Sequence, residues 1–198
     1  MHIERGPRRP PLMLRALARL RQFPLAQSGV AAVEFALVLP VMLLMYLGMT
    51  EVTVAVNTDR KLTILSRTLA DLTGRVSNVS DTDLNTIFGA ALSVMAPFTS
   101  DDVKMRISSV VIRDNNGSPE ARICWSEGRN MSGRAANEIV AVPEGFDAPG
   151  TSFILAEVEK VYKPMLGHAI TGDIGLAEST PWPVRNVAEV SRMGTSCL

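Results

Sequence analysis

Few side chains in this chain of 198 residues are typed and spaced for chemistry. A zinc site needs closely spaced Cys, His or carboxylate ligands, yet the only histidines are His2 and His168, and the two cysteines, Cys124 and Cys197, stand far apart. Nucleophilic catalysis would require His168 to serve a serine, but there is no Gly-x-Ser-x-Gly elbow, and a lone loop histidine is usually solvated. The glycines near the C-terminus lack the Gly-Lys-Ser/Thr of a phosphate loop. Asp101 with Asp102, and Glu157 with Glu159, read as turn and strand-face charges. No catalytic, metal or cofactor constellation results, so the expected protein is not an enzyme and needs no cofactor. Glu34 is different. It lies inside the apolar run of residues 30–50 (VAAVEFALVLPVMLLMYLGMT), long enough to cross a bilayer, where a charge is costly and is a functional suspect by default.

Four readings of Glu34 compete. The plainest is a passive anchor whose glutamate snorkels to a nearby interface. A cleaved secretory signal is a second, although the run is too long for a signal core and Leu47-Gly48-Met49 is a weak cleavage site. A proton relay is a third, but it would want polar partners on other spans, and the chain offers one. In the fourth, copies pack side by side and the carboxylate neutralises a cationic group at the start of a neighbouring helix. A cut between Gly29 and Val30 would create such a group, because the new α-amine would sit where the helix macrodipole disfavours positive charge.

The elements that position these residues follow from charge and period. The chain is neutral overall, but Arg5, Arg8, Arg9, Arg15, Arg19 and Arg21 face only Glu4 in residues 1–29, leaving the remainder net acidic. A basic head directly before an apolar run orients it with the N-terminus in the cytoplasm. A nucleic-acid arm is the weaker reading, since nothing aromatic is interleaved to stack bases. Leu62, Leu65, Leu69 and Leu72 then fall on one helical stripe, and Thr73-Gly74 is a stop signal. One helix over 30–72 would reach about 65 Å, roughly twice the hydrocarbon thickness, with a kink expected at Pro40. Ser80-Asp81-Thr82-Asp83 opens a second helix, with Leu84, Ile87, Phe88, Ala91, Leu92 and Met95 as its apolar stripe up to Pro97.

From Val103 the period becomes two. Val103, Met105, Ile107, Ser109 and Val111 alternate with Lys104, Arg106 and Ser108; Asn115-Asn116-Gly117 marks a turn; and Ala121, Ile123 and Trp125 line one face of the return strand. Further strands are expected at 139–142, at 151–162 with Ile154, Ala156, Val158, Lys160 and Tyr162 on one face, and at 184–191, after a loop-rich stretch containing Gly167, Gly172, Gly175 and Pro181-Trp182-Pro183. The cysteines would lie in an oxidising compartment, where pairing is allowed and is favoured over free thiols. A Cys124–Cys197 bridge would contribute about 4 kcal/mol in the chain-entropy model.

The string Gly29-Val30-Ala31-Ala32-Val33-Glu34-Phe35-Ala36-Leu37-Val38-Leu39-Pro40, after a basic head, resembles the start of the TadE/TadG family of tight-adherence (Flp) pilus-assembly proteins. More broadly it is similar to type IV prepilins, which a membrane peptidase cleaves after a glycine, leaving a glutamate as the fifth residue of the mature chain. The resemblance implies a processing site at Gly29 and Val30 and an assembly surface at Glu34 and Phe35, with Ala31, Ala32 and Ala36 allowing close helix approach. Cut and uncut chains both stay open. It also implies an α+β, pilin-like fold: a basic cytoplasmic leader (1–29), a transmembrane segment (30–50), a periplasmic extension of the same helix (51–74) and a periplasmic domain of one further helix and an antiparallel sheet (75–198). The implied protein is a minor pilin-like subunit of a bacterial inner-membrane machine that initiates or anchors a filament. Its partners would be other pilin-like subunits, the assembly platform and the prepilin peptidase, with no nucleic acid. The competing function is a membrane-tethered periplasmic binding or sensory domain.

Overall fold

The computed structural model describes residues 27–165 and 172–198; residues 1–26 of the leader, with His2 and the arginines, and the stretch holding Gly167 and His168 lie outside the described residues. Within them, helix α1 (Gln27–Gly74) is followed by strand β1 (Asn78–Val79), helix α2 (Asp81–Leu92), β2 (Lys104–Asn115), β3 (Ser118–Arg129), β4 (Ile139–Val140), β5 (Ser152–Tyr162), β6 (Ile174–Pro183) and β7 (Ser191–Arg192). The layout is α+β, with an antiparallel sheet of order β4-β3-β2-β5-β6 and a small parallel pair, β1 with β7. The chain divides into two compact units between Met49 and Thr50.

In the first unit α1 continues through Pro40, whose missing N–H leaves the Ala36 carbonyl without its helical partner. Every residue from 29 to 50 is exposed. The helix is long and apolar enough to cross a membrane.

In the second unit α1 is amphipathic. Leu62, Leu65 and Leu69 are buried to 1 % exposure or less, and Leu72, the last of the expected stripe, is partly buried beside them. They pack on a core that takes Ile107 from β2, Trp125 from β3, and Ile154, Ala156 and Val158 from β5. Helix α2 adds Leu84, Ile87, Phe88 and Ala91, and a single 3-10 turn (Ser93–Met95) carries Met95 into the same core where a longer helix was expected. Its start is a capping box: the Ser80 hydroxyl accepts from the Asp83 N–H, and Asp83 returns a bond to the Ser80 N–H. At the other end of α1, Asp71 places a negative charge in the last turn, where the helix dipole disfavours it. Arg75 and Arg185 pair with it, and the hydrogen bond from Arg75 holds its carboxyl below the usual range.

The hairpin β2–β3 turns at Asn116 and Gly117, both with positive φ (53° and 85°), as a type I′ connection requires. Its register corrects one expectation. Ser109 faces Trp125, whereas Val110 faces Ile123, so Cys124 is the extra residue of a β-bulge. The bulge sends Trp125 into the first core and Ile123 into a second one, with Ala121, Val110, Ile112, Phe153 and Leu155, on the opposite face. There the 140–146 segment covers the sheet through Val140, Val142 and Phe146, whose ring meets Phe153 at 5.0 Å. With both faces covered, Ser108 to Ile112 are buried without interruption and simple alternation vanishes.

A second correction concerns the C-terminal strand. The last long strand is β6, in the stretch expected to be a loop, and residues 184–190, expected to be extended, form no strand; only Ser191–Arg192 pairs, and with β1. Pro181 and Pro183 hid β6. It is an edge strand, where a proline nitrogen that faces away from the sheet breaks no ladder bond.

Replacing the buried Leu65 with Ala should cost about 2–5 kcal/mol of stability, whereas Ile64→Ala, at the adjacent half-exposed position, should stay within about 0.5 kcal/mol. Urea unfolding of the detergent-solubilised chain, followed by circular dichroism, compares the two.

Candidate functional site

Helix α1 positions Gly29, Val30, Glu34 and Phe35. Helical spacing puts Val30, Ala31, Glu34 and Val38 on one stripe, and all of them are exposed, as is Phe35 at 61 %. The bond between Gly29 and Val30 lies within the first helical turns described, so a peptidase acting there must unwind local helix. A Cβ on Gly29 would meet nothing within 4 Å among the described residues. Among the described residues, neither a contact nor a positive φ demands glycine at this position. The side chain of Glu34 stands in an apolar surface with Val33 at 61 %, Leu37 at 71 % and Val38 at 52 % exposure around it, a contiguous patch of the kind that marks a protein or membrane contact.

The other candidates lie in the second unit. Cys124 and Cys197 form a disulfide with Cα atoms 5.8 Å apart, which fastens the C-terminal tail to the bulge of β3. Beside it the buried Glu189 accepts from the Ser196 hydroxyl at 2.7 Å and from the Cys197 and Leu198 amides at 2.8 and 2.9 Å. Trp125 Nε1 donates to the Val190 carbonyl at 2.7 Å, so the same tail is also tied to the first core.

Three polar arrangements were not anticipated from the sequence. On the second face of the sheet, Glu157 accepts from Arg106 Nε at 2.8 Å and from Arg134 Nη2 at 2.7 Å, and Arg134 also pairs with Glu138. Burial works against the charged carboxylate, but the bonds from Arg134 and Arg106 outweigh it and hold Glu157 at a pKa of about 2. The loop that brings Arg134 here crosses β3 too closely for side chains: a Cβ on Gly128 would lie 2.1 Å from the Met131 carbonyl oxygen, and one on Gly133 2.4 Å from that of Ser126. Lys160, 6 % exposed, donates to the Thr99 carbonyl at 2.9 Å and pairs with Asp102. Finally, Glu51 accepts from the Tyr162 hydroxyl at 2.9 Å and from the Met165 amide at 3.1 Å. Burial first, and the neighbouring Glu51 carboxylate second, push the Tyr162 hydroxyl above its ordinary range. The alternating pattern of β5 did place Lys160 and Tyr162 on the inner face; what it lacked was the identity of partners more than fifty residues away.

These features define a class: an α+β protein with one N-terminal helix suited to a membrane, carrying a single carboxylate in its apolar half. Residues 29–71 match the family model described as TadE-like protein, a stretch that covers the apolar run and the leucine stripe and stops short of α2 and the sheet. The segment that carries Gly29, Val30, Glu34 and Phe35 is thus TadE-like. No curated protein and no solved structure matches the chain.

Because the native pKa of Glu157, about 2, lies well below the 4.5 of a free glutamate, the unfolded chain binds more protons between the two, and stability rises with pH there. The stabilisation, on the order of 3 kcal/mol from the size of the shift, should be complete above about pH 4.5 and vanish as the pH falls through about 2. Denaturation midpoints measured across that window should show the slope in the natural chain and a much flatter one in Glu157→Gln.

Proposed function

We propose that this chain is a structural subunit of a tight-adherence pilus assembly machine, held in the bacterial inner membrane by residues 30–50. The observation that carries the reading is the exposed apolar half of α1, with one carboxylate, inside a TadE-like segment. The bilayer is the solvent that suits such a surface, since a helix satisfies its own backbone groups there. The arginines of residues 1–29 favour a cytoplasmic N-terminus, and the disulfide suits a periplasmic domain. The role is assembly rather than catalysis. Glu34 meets the start of a neighbouring pilin-like helix, with Phe35 and the small residues Ala31, Ala32 and Ala36 forming the packing surface. Cleavage by a prepilin peptidase between Gly29 and Val30 would supply the free amine that Glu34 neutralises.

Glu34→Gln should abolish pilus-dependent surface adhesion while membrane insertion and the thermal unfolding of the domain stay as in the natural chain. Unchanged adhesion would favour a tethered binding domain with a passive anchor. Intact mass of protein recovered from its native membrane addresses the cut separately: the expected species starts at Val30, and one starting at Met1 or His2 overturns the processing step.

A further inference from the structure

The side chain of Glu51 is the first charge after the apolar run, and each of its oxygens accepts from one short segment: Oε2 from the Tyr162 hydroxyl and Oε1 from the Met165 amide. That segment leaves β5 at Tyr162 and continues through the exposed Lys163, the buried Pro164 and then Met165, which at 91 % has the highest exposure of the large apolar side chains described. An apolar side chain presented outward by a backbone amide that a carboxylate holds in place is a costly arrangement in water. It is a favourable one at a lipid surface. Chain connectivity alone sets the height: at 1.5 Å per residue of helix, Glu51 lies within about 2 Å of the end of the run along the helix axis. The next turns remain apolar, with Val52 at 63 % and Val56 at 45 % exposure.

We propose that Tyr162–Met165 is a membrane-contact segment that docks on the phospholipid headgroup layer on the side of the bilayer where the domain lies, with Glu51 as the residue that positions it. This rests on the reading of residues 30–50 as a span. Met165 enters the boundary between headgroups and acyl chains, Lys163 pairs with headgroup phosphates, and Tyr162 occupies the depth that amphipathic rings prefer. The Glu51 carboxylate can lie at that depth because two protein donors replace its water. The consequence is that the end of β5 is itself held to the headgroup layer.

The test uses the full chain in vesicles of phosphatidylethanolamine and phosphatidylglycerol, with a nitroxide on Met165→Cys, the natural cysteines being paired. Leu44→Cys, inside the run, and Asp147→Cys, beyond the far end of β5, serve as references. The ratio of oxygen to nickel-complex collision rates reads depth. A ratio at 165 several-fold above that at 147, and below that at 44, is the expected result. If the label at 44 is as aqueous as that at 147, the span itself is wrong. If 44 is buried but 165 matches 147, the span stands and the contact segment is overturned. Adding Glu51→Gln should bring the ratio at 165 down toward that at 147 without moving 44; no change there would overturn the role of Glu51.

Discussion

An α-helix satisfies its own backbone hydrogen bonds whatever surrounds it, and this property of α1 is the constraint on which the rest depends. It allows one uninterrupted element, Gln27–Gly74, to expose apolar side chains all round in its first half and to bury a single stripe in its second. A strand could not do the same, because its backbone groups would need partners at every level. The second half then becomes the floor of the domain. Leu62, Leu65 and Leu69 provide the surface on which the sheet and α2 close, and Ser66 adds a hydroxyl contact to Thr180 of β6 at 2.7 Å.

The sheet differs from a one-sided antiparallel layer because it carries apolar side chains on both faces. A bulge of one residue at Cys124 divides β3 between the two cores, turning Trp125 to one and Ile123 to the other. The same irregularity frees the Cys124 side chain to meet Cys197, so the tail is pinned where the ladder is already broken. On the second face, beyond the apolar patch, Arg106, Glu157 and Arg134 complete the cover with charge. Each of these ions has a partner, the condition under which a half-buried ionic group is tolerated.

In the second unit, carboxylates that leave water have partners: Glu157 has two arginines, Glu189 three donors near the C-terminus, Glu51 a hydroxyl and an amide. Glu34 stands exposed on an apolar helix. That contrast accords with the proposal that Glu34 takes its donor from a neighbouring subunit.

Local pattern determined the elements whose signal is local. The apolar run, the leucine stripe, the Ser80 cap, the Asn116-Gly117 turn and the alternation of β5 each depend on residues within a few positions of one another, so they were legible in the amino-acid order, together with the α+β class and the TadE-like motif at Gly29 to Glu34. Tertiary structure decided what depends on distant partners. The strand at Ile174–Pro183 exists because β5 offers it an edge that tolerates Pro181 and Pro183. Trp125 and Ile123 part company because β2 imposes its register on β3. Glu51, Glu157 and Lys160 acquired roles from Tyr162, Arg134 and Asp102, groups that only folding brings within hydrogen-bond reach, where burial makes each pairing count.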